Sequence, residues 1–422
     1  MKKICIFGLG YIGLPTACLF ANRDYSVVGV DVKITVIEKV NMGSCPFEEP
    51  GLGNLLKQAH DNGKIRASLN PESADIFIVA VPTPMDNNTG VADLKSVYEA
   101  AEGIARYLKK GNLVIVESTV PPITCEKMVI PILEKSGLKA GIDFYLAYCP
   151  ERAIPSNTIN EMINNDRVIG GFDNESALLS KNLYASFVQG NIYLTNLTTA
   201  AMVKLMENTY RDVNIALANE FAIITERIGV NVWEAIKLAN KHPRVKIHSP
   251  GPGVGGHCLT KDPLFLLENT TGSRIIELAR DINDAMPRHV LSAIDKLISG
   301  ITNPTITILG IAYKADVDDT RETPALKIIK LAENAGYKVK AHDPWVQKFE
   351  YPLYSLEESC MDSDCLVLIT DHSIFSHIDP QMLSSKMRHR NLFDTRNFLD
   401  HKLWQKAGFK VNVIGNVSTK DN

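Results

Sequence analysis

The amino-acid sequence predicts an α/β fold, with a doubly wound parallel sheet at each end of the chain and an all-helical stretch between them. Three observations carry this. Short apolar runs alternate with helical periodicity through the first third of the chain. From about Asn196 to Asn240 the sequence becomes helical and free of proline. After Pro304 the strand–helix rhythm returns. A chain of 422 residues is too long for one ordinary core. The divisions fall at 1–195, 196–300 and 301–422.

In chain order, Ile4 to Phe7 reads as a buried strand and Leu14 to Asn22 as the helix after it. Val27 to Val30, Ile76 to Val81, Val114 to Val116 and Phe144 to Ala147 continue the strands, with Leu94 to Leu108 a helix among them. In the middle, Thr198-Thr199 opens the helical stretch, Gly229 ends its first helix, and Asn231 caps the next. Thr305 to Leu309, Lys338 to Ala341, Leu366 to Ile369 and Val411 to Ile414 are strands of the second sheet. Pro324 to Ala335 and Leu399 to Ala407 are its helices. The polar tail after Val417 is expected to fray.

Composition excludes several classes. Hydrophobic content of 45% against 22% charged is that of a globular protein in water. A net charge of -3 leaves no basic footprint for nucleic acid. Lys2-Lys3 and the apolar run to Ala21 have the outline of a signal peptide, but Gly8, Gly10, Gly13 and Pro15 break it. No later run is long enough to span a membrane as a helix. Eight cysteines are scattered without a Cys-x-x-Cys pair or Cys/His ligand spacing, so no metal site is expected. The pattern fits a reduced cytoplasm.

Gly8-x-Gly10-x-x-Gly13 lies between the first strand and its helix. The first glycine allows the tight turn, the second lets pyrophosphate approach the backbone, and the third lets helix pack on strand. The phosphates then meet the helix N-terminus, whose free N–H groups and dipole favour an anion. Asp31, at the end of the second strand, is placed to accept from an adenosine ribose and to repel a ribose phosphate. The first sheet therefore calls for NAD rather than NADP, and the strand–helix rhythm after Pro304 is read as a second Rossmann-like domain. Lys33 either blunts that preference or is a solvated surface lysine.

Other polar residues fall just after strands, where open parallel sheets bind ligands. Thr83 in Val81-Pro82-Thr83-Pro84 and Thr119 in Glu117-Ser118-Thr119-Val120 either touch a nicotinamide ribose or cap turns. Glu151 in Cys149-Pro150-Glu151-Arg152 has the chemistry of a general acid or base, and Arg152 that of an anion ligand; a surface ion pair explains them equally. Lys204 and Asn208 are four apart and share one helix face. An ammonium and an amide there suit an oxyanion, or else a solvated face. Pro250-Gly251-Pro252-Gly253-Val254-Gly255-Gly256-His257-Cys258 ends in a thiol, with Asp262 four residues on. So many glycines suit a kinked loop pressed against a neighbour, and the thiol is either a covalent nucleophile or an inert buried cysteine. Lys314 to Arg321 is acidic enough to suggest a calcium loop, but lacks its glycine and closing glutamate. Lys314 and Arg321 read better as anion ligands.

Taken in order, these motifs resemble the UDP-glucose/GDP-mannose dehydrogenase superfamily over essentially the full chain. The resemblance rests on Gly8 to Pro15, Glu117 to Val120, Pro150 to Arg152, the Lys204/Asn208 helix, Gly253 to Asp262, and Ala312 to Arg321. It implies oxidation of a nucleotide sugar's primary alcohol to a carboxylate with two NAD, through a thiohemiacetal and then a thioester on Cys258. It places Tyr11, Ile12, Thr83 and Thr119 with the glycines around NAD. It implies that Lys204, Asn208 and a water held by Asp262 and Thr119 stabilise oxyanions, and that Glu151 assists thioester hydrolysis. Lys261 is placed beside the site. Arg152, Gly255, His257, Lys314 and Arg321 are placed around the substrate, with Arg244 reaching a neighbouring subunit's site or only capping a helix end. A homodimer through the central helices is implied too.

Asn240 to Val245, Pro250 to His257 and Pro150 to Pro155 look like the branch acting on UDP-N-acetylmannosamine, with UDP-N-acetylglucosamine and then UDP-glucose as the alternatives. Lys261 before Asp262 is the pattern of the glucose enzymes. A non-catalytic nucleotide-sugar sensor on the same scaffold is the reading of a different class. A two-electron hydroxyacid dehydrogenase is a second enzymatic one.

Overall fold

A computed structural model describes residues 2–86, 89–268 and 273–416; the tail after Val417 lies outside these. The chain divides into two compact units, Met1–Glu207 with Phe265–Asn269, and Asn208–Leu264 with Thr270–Asn422.

The first unit is built on an eight-stranded sheet. Its strands are β1 (Lys3–Phe7), β2 (Ser26–Val30), β3 (Ile65–Ser68), β4 (Ile76–Val79), β5 (Leu113–Val116), β6 (Tyr145–Tyr148), β7 (Arg167–Gly171) and β8 (Ile192–Asn196), in the order β3-β2-β1-β4-β5-β6-β7-β8. The first six run parallel, and the order reverses direction at β1, between β2 and β4. That reversal opens the crevice in which such sheets hold dinucleotides. β7 is antiparallel to β6, and β8 runs parallel to β7. The sheet is therefore mixed at one end. β4 and β5 are apolar and buried along their whole length, as covering by helices on both faces requires. β4 stops at Val79, two residues short of the apolar run, because Pro82 and Pro84 follow and supply no N–H for a ladder.

The second unit carries a five-stranded, wholly parallel sheet. Its strands are β9 (Thr305–Leu309), β10 (Lys338–His342), β11 (Cys365–Leu368), β12 (Asn391–Asp394) and β13 (Lys410–Val413), in the order β10-β9-β11-β12-β13. Here the reversal falls at β9. Helix Pro324–Asn334 starts where expected, with Thr323 as N-cap accepting from Ala325 N–H and proline in the first turn. The last helix is shorter than its periodicity suggests, His401–Lys406, because Asp400 caps it by accepting from the N–H groups of Lys402 and Leu403.

The long central helix runs Leu197–Ile228. Gly229 ends it with φ +73°, and Asn231 caps Val232–Ala239 by accepting from Trp233 and Glu234 N–H. Helix Arg274–Leu297 sets Met286, Val290, Ile294 and Leu297 into one core with Ile306 and Ile308 of β9. That shared apolar surface is why it groups with the second sheet. Ile308 is fully buried there, so Ile308→Ala is expected to lower stability by about 2–5 kcal/mol through lost burial and a residual cavity. A shifted midpoint for the second unit in urea unfolding checks this.

Candidate active site

The glycine loop after β1 has the packing its spacing implies. A Cβ on Gly13 would stand 1.9 Å from the Gly8 carbonyl oxygen, so only glycine lets the helix start so close to the strand. At Gly10 a Cβ would meet nothing within 4 Å, leaving the backbone open to a ligand. Helix Gly13–Ala21 has no side-chain cap and no acid in its first turn, so the loop offers positive potential without an internal anion. Asp31 Oδ2 accepts from Leu9 N–H at 2.9 Å and Oδ1 from Lys33 N–H at 2.8 Å, which fixes a carboxylate beside the loop. Tyr11 packs against Phe47 with tilted rings whose centroids are 4.4 Å apart, and Ile12 packs against the core. These residues fit a dinucleotide diphosphate with an unphosphorylated ribose.

The strand ends carry the next layer. The Thr83 hydroxyl donates to the Thr119 carbonyl at 2.7 Å, tying together the loops after β4 and β5. Glu151 is buried. Its Oε1 accepts from Arg152 and Ala153 N–H at 2.7 and 2.9 Å, and its Oε2 from Arg167 Nη2 at 2.7 Å. Burial pushes this carboxyl up, but the Arg167 charge and the two N–H groups outweigh it and hold it below the usual carboxylate range. Arg152 forks onto Glu207 and donates to the Asp166 carbonyl at 2.9 Å. Lys204 is buried on the central helix, one turn before Asn208.

In the second unit, the central helix turns a buried polar face toward the glycine-rich loop. Asn208 donates to Asp262 Oδ2 at 2.5 Å, and Asp262 is itself 4% exposed. One turn on, Asp212 accepts from Arg280 at 2.6 Å and Asn283 at 2.8 Å. Asn219 accepts from Gly251 N–H at 2.8 Å and donates to Asn283 at 2.9 Å. Asp212, Asn219, Arg280 and Asn283 escape the sequence reading, although steps of four, four and seven from Lys204 put 208, 212 and 219 on one face.

The loop itself is held tightly. Gly256 has φ +80°, and a Cβ there would press into the Tyr313 ring at 2.7 Å. Gly255 is enclosed by Tyr313, the Glu322 carbonyl and Pro324. Gly256 N–H donates to the Arg321 carbonyl at 3.0 Å. The Arg321 guanidinium is oriented by Asp319, at 2.6 Å from Nη2 and 2.8 Å from Nε. Lys314 is half-buried in the same loop. The Cys258 carbonyl accepts from Asp262 N–H at 2.9 Å, which folds the chain back past the thiol. Lys261 donates to His257 Nδ1 at 2.8 Å, so the ring proton sits on Nε2. Burial, then the charges of Arg321 and Lys261, push the His257 imidazolium down to about 4. Arg244 is exposed on the turn after helix Val232–Ala239.

Of the eight cysteines, Cys258 alone is exposed. Burial pushes Cys5 and Cys360 up to about 11 and Cys149 to about 12, and Cys18, Cys125 and Cys365 higher still. Thiolate chemistry at neutral pH is closed to them. Among the described residues no group of three His, Cys, Asp or Glu could hold a metal, and no helix is long and apolar enough to cross a membrane.

The first unit carries a dinucleotide loop at its strand reversal, as dehydrogenases do, and the second an exposed thiol four residues before the buried Asp262. The chain belongs to the UDP-glucose/GDP-mannose dehydrogenase family: the family's NAD binding domain matches residues 2–188, its central domain 198–285 and its UDP binding domain 307–401. It is an NAD-dependent nucleotide-sugar dehydrogenase. A UDP-N-acetyl-D-mannosamine dehydrogenase of Methanococcus maripaludis is 49% identical, over 99% of this chain and 97% of that protein. The structure of UDP-D-ManNAc dehydrogenase from Pyrococcus horikoshii superposes with a TM-score of 0.92 at 43% identity, covering 98% of this chain and 99% of the other. That of the UDP-N-acetyl-mannosamine dehydrogenase of Staphylococcus aureus gives 0.90 at 39%, covering 98% of each.

Brief treatment with iodoacetamide at neutral pH is expected to alkylate Cys258 ahead of every other cysteine. Peptide mass spectrometry reads the order, and earlier labelling of a buried thiol would contradict the assignment.

Proposed function

We propose that the chain oxidises UDP-N-acetyl-D-mannosamine at its primary alcohol to the corresponding uronate, using Cys258 as covalent nucleophile. The observation that carries this is the single exposed thiol, set on a glycine-built loop and backed by the Asn208–Asp262 pair. The substrate is supported by the loop sequences 150–155, 240–245 and 250–257, and by relatives of that name at 42–49% identity.

Bound NAD, held by Gly8 to Gly13 and Asp31 with Thr83 and Thr119 near the nicotinamide ribose, supplies hydride acceptance for each of two oxidations. The first leaves an aldehyde. The Cys258 thiolate adds to that carbon, forming a C–S bond and an alkoxide that Lys204 and Asn208 stabilise. Asp262 accepts from the Asn208 amide and so fixes its aim. Oxidation of the resulting thiohemiacetal leaves a thioester, whose carbonyl cannot drift away before hydrolysis. Water, oriented by Glu151, adds to the thioester carbonyl. Collapse breaks the C–S bond, returns the thiol, and releases the carboxylate with a proton. His257, neutral at physiological pH with Nε2–H as donor, Lys314 and Arg321 hold the sugar nucleotide. Arg152 orients the Glu151 loop through Glu207 and Asp166.

The enzyme is a homodimer in this reading. Met202, Met206, Tyr210, Leu217, Ile224 and Ile228 form an exposed apolar stripe at helical spacing along the central helix, which a second copy would cover. Arg244 then serves the partner's substrate. Free cysteines and a nicotinamide reaction support a cytoplasmic location in this reading.

Cys258→Ser is expected to abolish uronate formation while sugar-nucleotide binding by calorimetry survives; normal turnover would remove the covalent route. Wild-type enzyme should give two NADH per sugar in an end-point assay. Release of NADH compared across UDP-linked N-acetylmannosamine, N-acetylglucosamine and glucose decides the substrate. Met206→Glu should convert dimer to monomer in light scattering.

A further inference from the structure

Behind Glu151 lies a buried charged cluster that the proposed reaction leaves unused. Arg167, at the start of β7, is 4% exposed. Its Nη2 donates to Glu151 Oε2 at 2.7 Å and to the Met162 carbonyl at 3.4 Å, and its Nη1 reaches Cys149 Sγ at 3.7 Å. The guanidinium lies over the Tyr184 ring, 4.8 Å from its centroid. Its Nε has no hydrogen-bond partner among the described residues. A second carboxylate, Glu117 at the end of β5, accepts from the Tyr184 hydroxyl and from Thr16 at 3.2 Å. Thr16 belongs to the helix that follows the glycine loop.

One cation thus serves two buried carboxylates, and the direct bond goes to Glu151. Glu117 is left with its carboxyl pushed up to about 7, first by burial and further by the charge on Glu151. Stripping water from a guanidinium is costly, and well-packed apolar residues often serve stability as well or better. Holding Glu151 is what this arrangement does that an apolar core would not.

We propose that Arg167 is the positioning residue for Glu151 in thioester hydrolysis, fixing both the orientation of that carboxylate and its charge. The inference rests on the role given to Glu151 above. With Oε1 tied to two backbone N–H groups and Oε2 to Arg167, the carboxylate has one orientation, and the one lone pair left on Oε2 faces a fixed direction. The groups around it are Arg167 from β7, Cys149 from the end of β6, Glu117 from the end of β5 and Tyr184 from helix Asn174–Tyr184. Only Arg167 is a cation. Without it, burial acts on Glu151 opposed by two N–H groups alone, and the acid takes up a proton at higher pH.

The test uses full-length Arg167→Gln, Arg167→Lys and Glu151→Gln with NAD and UDP-N-acetyl-D-mannosamine. Quenched samples are read by intact-protein mass for the acyl adduct on Cys258, beside the NADH burst and the pH profile of adduct decay. Glu117→Gln as a background removes the second carboxylate, so that the limb observed belongs to Glu151. Arg167→Gln is expected to keep the burst, accumulate the adduct, slow its decay about 100-fold and move the acid limb to higher pH. Arg167→Lys keeps a cation but cannot make the three contacts together; it should leave the limb in place and slow decay roughly tenfold. If Arg167→Gln does not fold, Arg167→Lys decides alone. Wild-type decay and profile in a folded Arg167 variant, with the adduct accumulating in Glu151→Gln, would overturn the role of Arg167 and spare that of Glu151. Wild-type decay in Glu151→Gln would remove the Glu151 reading itself.

Discussion

The interaction on which the second unit depends is the buried polar seam along the central helix. Asn208, Asp212 and Asn219 point one way, and the glycine-rich loop and Arg280 and Asn283 answer them. A polar helix face inside a protein is costly unless every group finds a partner. Most of these groups find them, in backbone as well as side chains, while Asp212 Oδ2 is left without one among the described residues, and the bonds to the loop give a segment with little side chain of its own a defined path. Glycine removes bulk from the loop, and the seam restores order.

The same economy governs both sheets. Each presents strand ends at a reversal of strand order, and at each a carboxylate gathers backbone N–H groups: Asp31 those of Leu9 and Lys33, Asp343 those of Ile311, Ala312, Trp345 and Val346. Asp343 is held at about 2 despite its burial, by the hydrogen bond from buried His372 and by the backbone N–H groups of Ile311 and Val346. These acids set the shape of the loops after β1 and β9.

Much of this is legible in the sequence because it rests on spacing. Gly8, Gly10 and Gly13 mark a loop between strand and helix, Asp31 follows at the second strand, and Gly229 with Asn231 punctuates the helices. Cys258 stands out because glycines surround it. Other features rest on tertiary contact and leave no local trace. β7 holds Arg167 and two glycines, which no strand propensity favours, and only its ladders to β6 and β8 make it a strand. β3 is four residues long with an exposed Arg66 inside. The burial of Arg167 and Glu117 depends on helix Asn174–Tyr184 folding over them, which no single window of sequence reveals.

Gly255 and Gly256 sit against Tyr313 and Pro324 with no clearance, and Gly256 is bonded to the Arg321 carbonyl. The two loops are in effect one mechanical part. Any shift of the Arg321 backbone is carried through that bond to Gly256, two residues before the thiol, so the position of one loop has a lever on where the sulfur of the other lies.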